Sequence, residues 1–410
     1  MSSQGRNIGN IFLWVLAFII CGAIVYYCLP MVFGRVKYDS TVPILVANEI
    51  KDKNKISEIE ENLTEDSVIL AETIDKEEVP VTHISTPKAL KAVYISSWVA
   101  GSPNFRDSVI KIIDTTELNA IVIDVKDSTG KISFKINDAD LIEIGAMENR
   151  ISNIRALTAL LHKKNIYVIG RISVFQDPYL AKKKPEWAIT KKSDGNIWKD
   201  RKGLSFLDPA NKEVSNYIIN LARHSYDLGF DEINFDYIRY PSDGDMKDIN
   251  YHLKEGVTRA DNIETFFKYL SSEMKKDVNI PISADLFGLT TEAKDDMGIG
   301  QVWEKAIPHF DFVSPMVYPS HYPPGTSGYK NPALYPYEII NKALASAVIR
   351  TKAINQDILK IRPWLQDFDM GATYTKEMVR AQIKATYDNG LTSWMLWDPS
   401  NKYTSQCTLA

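Results

Sequence analysis

The feature that most constrains this chain is a rhythm: from Lys91 onward, short β-branched runs alternate with longer stretches whose apolar residues recur at helical spacing. The runs are KAVYISSW (91–98), AIVIDVKD (120–127), IYVIGRISVF (166–175), EINFDYIRY (232–240), IPISADLFG (280–288), DFVSPMVY (311–318), LKIRPWLQ (359–366) and TSWMLWD (392–398). Between them lie helical patterns such as NRISNIRALTALLHKK, NKEVSNYIINLARHSYDLG and DNIETFFKYLSSEMKK. Strand and helix in strict alternation imply a parallel sheet, because each crossover must carry the chain back to the same end. Eight such runs predict an α/β fold of the (β/α)8 TIM barrel type, in which closure leaves no sheet edge. An open, doubly wound sheet is the rival. It would carry a Gly-rich phosphate turn after its first strand, and SSWVAGSPNF lacks that spacing.

Upstream the chain changes character. The uncharged run from Ile11 to Phe33 is long enough to cross a hydrocarbon core about 30 Å thick. It predicts a transmembrane anchor behind a short tail, residues 1–10. A cleaved signal would have a shorter apolar region and an A-x-A-like site. Arg6 and the amino terminus on one side nearly balance Arg35 and Lys37 on the other, so placing the large domain outside the cytoplasm rests partly on its substrate class. Residues 34–87 turn acidic and polar, with no aromatic side chain between Tyr38 and Tyr94. Such a segment cannot bury enough apolar surface to fold alone and reads as a flexible linker. The barrel is expected over 88–402, followed by a tail, 403–410.

Composition narrows the chemistry. A net charge of −4 offers no basic field for a nucleic acid. The three Cys (Cys21, Cys28 and Cys407) form no disulfide framework. The six His are scattered without metal-ligand spacing, so no metal or other cofactor is expected.

Catalytic groups in such barrels stand at the C-terminal ends of the strands, and the alternation of side chains says which point inward. Asn234 and Asp236 share one face of the fourth strand; Phe235 and Tyr237 share the other. On the fifth, Ser283 and Asp285 oppose the apolar Ile282, Ala284 and Leu286. The same rule brings Trp98, Asp124, Lys126, Arg171, Tyr318, Arg362, Trp364 and Trp397 to the mouth, and His321 joins them from the loop VYPSHYPPGTSGY. Carboxylates, cations and aromatic faces together suit a sugar, with its hydroxyls and its C–H face. Glycoside hydrolysis needs two carboxylates, one protonated to donate to the leaving oxygen and one ionised to attack or activate water. Asp236 and Asp285 are the expected pair. The expected ligand is a polysaccharide or oligosaccharide of the cell envelope or exterior. A catalytically silent barrel that binds glycan or scaffolds envelope proteins is the alternative.

The stretch GFDEINFDYIRYP, with KAVYISSW before it and IVIDVKDSTG, SADLFG, SPMVYPSHY and LWDPSN around it, resembles the bacterial putative glycosyl hydrolase domain family, related to the alpha-amylase-like glycosidases. That resemblance implies a TIM barrel with a nucleophilic Asp ending the fourth strand, the place of Asp236. It also implies an acid/base carboxylate ending the fifth. There Asp285 stands where the amylase-like pattern has Glu.

Overall fold

The computed structural model describes residues 80–403; the anchor expected over 11–33, the linker up to residue 79 and the tail from residue 404 lie outside the described residues. Among the described residues no helix is long and apolar enough to cross a membrane.

Eight parallel strands close into a barrel: β1 (Lys91–Ile95), β2 (Ala120–Lys126), β3 (Tyr167–Ser173), β4 (Glu232–Asp236), β5 (Ile282–Phe287), β6 (Phe312–Met316), β7 (Trp364–Gln366) and β8 (Trp394–Trp397). Each pairs with its neighbours in sequence, and β8 returns to β1 through Lys91↔Trp394 and Val93↔Leu396. The longer crossover helices are α1 (Pro103–Asp114), α2 (Ile154–Lys163), α3 (Lys212–Tyr226), α4 (Arg259–Met274), α5 (Pro336–Ala353) and α6 (Lys376–Asp388). Local chemistry starts them where the sequence says: Asn153 and Asn211 cap α2 and α3, and Thr258 with Asp261 closes a capping box on α4.

Period-two alternation splits the apolar residues into two cores. Val93, Ile123, Val168, Phe235, Ile282 and Leu286 pack outward under the helices. Ala92, Tyr94, Val122, Ile169, Trp364 and Met395 fill the barrel interior. Both are needed, since a barrel of this size is packed and not a pore.

Three departures from the expected pattern matter for the site. The strands are shorter at their C-terminal ends: β1 stops at Ile95, and Ser96 caps a short helix, Ser97–Ala100. In β2 the register shifts between Asp124, opposite Arg171, and Lys126, opposite Ile172. Such a bulge turns the following side chain to the other face. Finally, residues 80–87, read as linker, lie against the barrel: Ile84 N–H donates to Asp231 and the Thr86 hydroxyl meets that of Tyr167 at 2.9 Å. At the other terminus, the Tyr403 hydroxyl donates to the Tyr94 carbonyl.

Candidate active site

A cavity of about 230 Å³ opens at the C-terminal ends of β3, β4, β5 and β6. Of the twelve residues expected at the site, six line it: Asp236, Asp285, Arg171, Tyr318, His321 and Trp397. Arg171 organises the polar floor. Its Nη1 donates to Asp124 Oδ1 at 2.7 Å, its Nη2 donates to Asp236 Oδ2, and its Nε lies 3.9 Å from Asp285 Oδ2, too far for a hydrogen bond. Asp124 does not reach the cavity; it accepts from Arg171 and, at 2.6 Å, from the Tyr94 hydroxyl. Tyr94 in turn stacks on Trp397 at 4.0 Å. Asp124 therefore positions Arg171, and through it Asp236.

Asp236 accepts from Arg171 on Oδ2 and from the Tyr237 backbone N–H on Oδ1 at 2.6 Å. Asp285 is held differently. Its Oδ1 accepts from Asn234 Nδ2 at 2.9 Å and from Trp364 Nε1 at 2.8 Å, while its Oδ2 has no donor within hydrogen-bond reach among the described residues. Burial, reinforced by the neighbouring Asp236 charge, pushes the Asp285 carboxyl up to about 8; Arg171, Asn234 and Trp364 oppose the rise without cancelling it. Asp124 and Asp236 share the one guanidinium, while Asp285 has only neutral donors and favours its protonated form. With Oδ1 occupied by two donors, that proton belongs on Oδ2. Burial alone would lower the Arg171 pKa, but Asp236 and Asp124 outweigh it and hold the guanidinium charged.

Four expected residues stand elsewhere. Asn234 and Trp364 lie behind Asp285 and orient it, so Trp364, fully buried, offers no platform to a sugar. Arg362 points into the barrel on the correct face but nearer its N-terminal end, where Nη1 pairs with Glu232 at 2.9 Å. Lys126, carried outward by the bulge, is sealed in an ion pair with Asp177 at 2.8 Å and donates to the Ser173 carbonyl at 2.6 Å. Gly130, at φ +87°, passes so close to Asp177 that it leaves no room for a Cβ. A fifth, Trp98, is 63% exposed on the short helix after β1, with the Arg150 guanidinium 4.8 Å from its ring. The premature end of β1 moves it off the strand face.

The cavity also holds residues that alternation assigned to the outside or passed over. Tyr237, expected beside Phe235, lines it because β4 ends at Asp236 and Tyr237 adopts a left-handed φ of 51°. A backbone in that region is strained for a Tyr, and such strain collects at functional sites. Arg239 and Phe287 line the same wall. The FDYIRYP stretch was the signal for the first two, but nothing in its spacing showed the turn.

A closed parallel barrel gathering aspartates around one buried arginine at its C-terminal mouth defines a (β/α)8 domain of the glycoside hydrolase type. Over residues 92–403 the sequence matches the family model described as a putative glycosyl hydrolase domain, and the chain belongs to that family. No curated protein matches it. Among solved structures, a hypothetical protein from Ruminiclostridium thermocellum ATCC 27405 is 33% identical, over 50% of this chain and 98% of that one, with a TM-score of 0.44. The PgaB (BpsB) glycoside hydrolase domain from Bordetella bronchiseptica superposes with a TM-score of 0.58, over 79% of this chain and 99% of that one, at 12% identity. TtGalA, an alpha-galactosidase from Thermus thermophilus, matches at 11% identity over 84% of this chain and 64% of its own, with a TM-score of 0.49. The superposition on PgaB is a likeness of fold.

Proposed function

We propose that this protein is a membrane-anchored glycoside hydrolase that cleaves an O-glycosidic bond of a cell-envelope or extracellular polysaccharide, with Asp285 as general acid and Asp236 as the nucleophilic or stabilising carboxylate. The observation that carries this reading is the division between two neighbouring aspartates: Asp236 receives the guanidinium of Arg171, while Asp285 accepts only from the neutral Asn234 and Trp364 and its carboxyl is pushed up to about 8. Unequal environments for paired carboxyls are how one site runs acid and base chemistry together. Asp285 Oδ2 gives its proton to the glycosidic oxygen, and the leaving sugar departs as an alcohol. Asp236 stabilises the positive charge that develops on the anomeric carbon, or bonds to it, and water completes the cleavage. Arg171, pinned by Asp124, keeps Asp236 aimed throughout. Tyr318 and Trp397 offer aromatic surface to the sugar's C–H face. The uncharged Ile11–Phe33 run supports the anchor, and a polysaccharide substrate supports placing the barrel outside the cytoplasm.

The test is reducing-sugar release from a panel of defined oligosaccharides by the full-length protein, with Asp236→Asn and Asp285→Asn alongside. Hydrolysis by the wild type and its collapse in both variants is the expected result. Near-normal hydrolysis by either variant would remove that residue from its role.

A further inference from the structure

The two arginines that line the cavity are in opposite situations. Arg171 is paired with two carboxylates, whereas Arg239, three residues beyond the end of β4, has none among the described residues. Its Nη1 donates to the Tyr240 carbonyl at 3.0 Å and to Ser242 Oγ at 3.3 Å. Its Nε and Nη2 meet no acceptor among the described residues, and they are not among the sealed polar atoms left without partners. The guanidinium is half-buried on the cavity wall, with its centre 5.4 Å from the Tyr237 ring and 5.6 Å from that of Phe287. Burial lowers its pKa, and the contributions of Tyr237 and Asp236 do not make up the loss. A guanidinium stays charged regardless. An N–H edge left open on a cavity wall is a ready pair of donors for an acceptor that enters the cavity. The Nε/Nη2 edge has the spacing that a carboxylate matches with two parallel hydrogen bonds.

A second observation points the same way. The loop after β3 carries eight cations between Pro178 and Gly203 (Lys182, Lys183, Lys184, Lys191, Lys192, Lys199, Arg201 and Lys202) against three anions, Glu186, Asp194 and Asp200. It is tied to the loop bearing Arg239: Thr190 and Lys191 pair with Asn250 and Ile249, and Trp198 Nε1 donates to the Asp245 carbonyl at 2.9 Å. Both loops leave the C-terminal ends of adjacent strands, and three of the cations face carboxylates, Lys184 with Glu143, Lys191 with Asp194 and Arg201 with Asp243. The remaining excess of positive charge would draw a chain of repeated negative charge toward that end of the barrel, in a protein whose net charge is −4.

We infer that the cavity takes an acidic sugar, a uronate residue whose carboxylate is bound by Nε and Nη2 of Arg239 beside the Asp236–Asp285 pair. The inference rests on the glycoside hydrolase reading for the reaction but stands apart from it in binding. Arg239 also offsets the negative charge that Asp124 and Asp236 leave after pairing with Arg171, which would otherwise repel an anionic ligand.

The experiment is calorimetric titration of the full-length protein carrying Asp285→Asn, which holds oligosaccharides uncut. The probes are defined uronate oligosaccharides of several linkages and their carboxyl-reduced, neutral counterparts. At least one uronate ligand is expected to bind about tenfold or more tightly than its reduced form. Adding Arg239→Gln should erase that difference, and Arg239→Lys should restore part of it; unchanged thermal unfolding of both variants confirms that they fold. Equal affinity for acidic and reduced ligands overturns the inference. So does equal weakening of both by Arg239→Gln, or failure of every uronate to bind. Hydrolysis of a neutral glycan alone by the wild type sinks the uronate site and leaves the hydrolase reading intact. Arg239-dependent uronate binding without hydrolysis by the wild type does the reverse.

Discussion

Two arginines enter the interior of one barrel, and their partners are counted differently. Near the N-terminal end, Arg362 meets a single carboxylate, Glu232, at 2.9 Å; each side chain is 1% exposed, and Tyr167 donates a further hydrogen bond to Glu232 at 3.1 Å. At the C-terminal mouth, Arg171 faces three: Asp124, Asp236 and, at 3.9 Å, Asp285. The first set matches one cation to one carboxylate, so it is a packing element that ties β4 to the chain entering β7. The second has more carboxyl groups than cation, and Asp285, which receives no hydrogen bond from the guanidinium, is the one whose carboxyl is pushed up to about 8. The surplus, more than the presence of buried charge, distinguishes chemistry from architecture here. Lys126 with Asp177, one cation to one carboxylate outside the barrel interior, falls with the first set.

Removing one member from each set should break them in different ways. Asp236→Asn is expected to lower kcat/KM about 10³-fold or more with the fold retained, measured by oligosaccharide hydrolysis and thermal unfolding. Glu232→Gln strands Arg362 in the barrel and should cost about 3–5 kcal/mol of stability by denaturant unfolding, with near-normal activity per folded molecule. If Glu232→Gln instead inactivates a stable protein, the distinction between the two ends fails.

A smaller effect sharpens the comparison through pH. The folded-state pKa of Asp285 is raised to about 8 from an ordinary value of 3.8. Between those values the unfolded chain has released a proton that the fold retains, so this group's contribution to stability declines as pH rises from about 4 to about 8. Asp285→Asn should therefore gain in Tm relative to wild type as pH increases across that window, and the wild-type rate should fall above about pH 8 as the acid is lost. A Tm difference that is flat with pH would contradict the assignment. The smallest effect belongs to Trp98→Ala, which should alter activity less than about twofold and stability by no more than about 0.5 kcal/mol, because the ring is exposed and away from the cavity lining.

Alternation of apolar and polar side chains was enough to read the barrel and to bring Asp236, Asp285 and Arg171 to one mouth, because each sits on a regular stretch of strand whose period is two. The same rule misplaced residues where the strand was not regular. Lys126 lies just past a bulge, Trp98 past an early strand end, and Tyr237 in a left-handed turn. None of these backbone events has a glycine or proline at the residue concerned to announce it. Arg362 shows a different gap: its face was right, but depth along a barrel depends on strand stagger, which one sequence does not display. Trp364 points inward as its strand face says but stands behind Asp285, since whether an indole stacks on a ligand or donates to a carboxylate depends on what lies beside it.

The central claim is that Asp285 holds a proton at neutral pH in the free protein. Infrared difference spectroscopy of wild type minus Asp285→Asn isolates the carboxylic acid C=O band of this one group without any substrate. The band should be present at pH 6 and 7 and disappear as pH passes through about 8. A band already gone by pH 6, with titration near 4, would contradict the claim and with it the assignment of the acid.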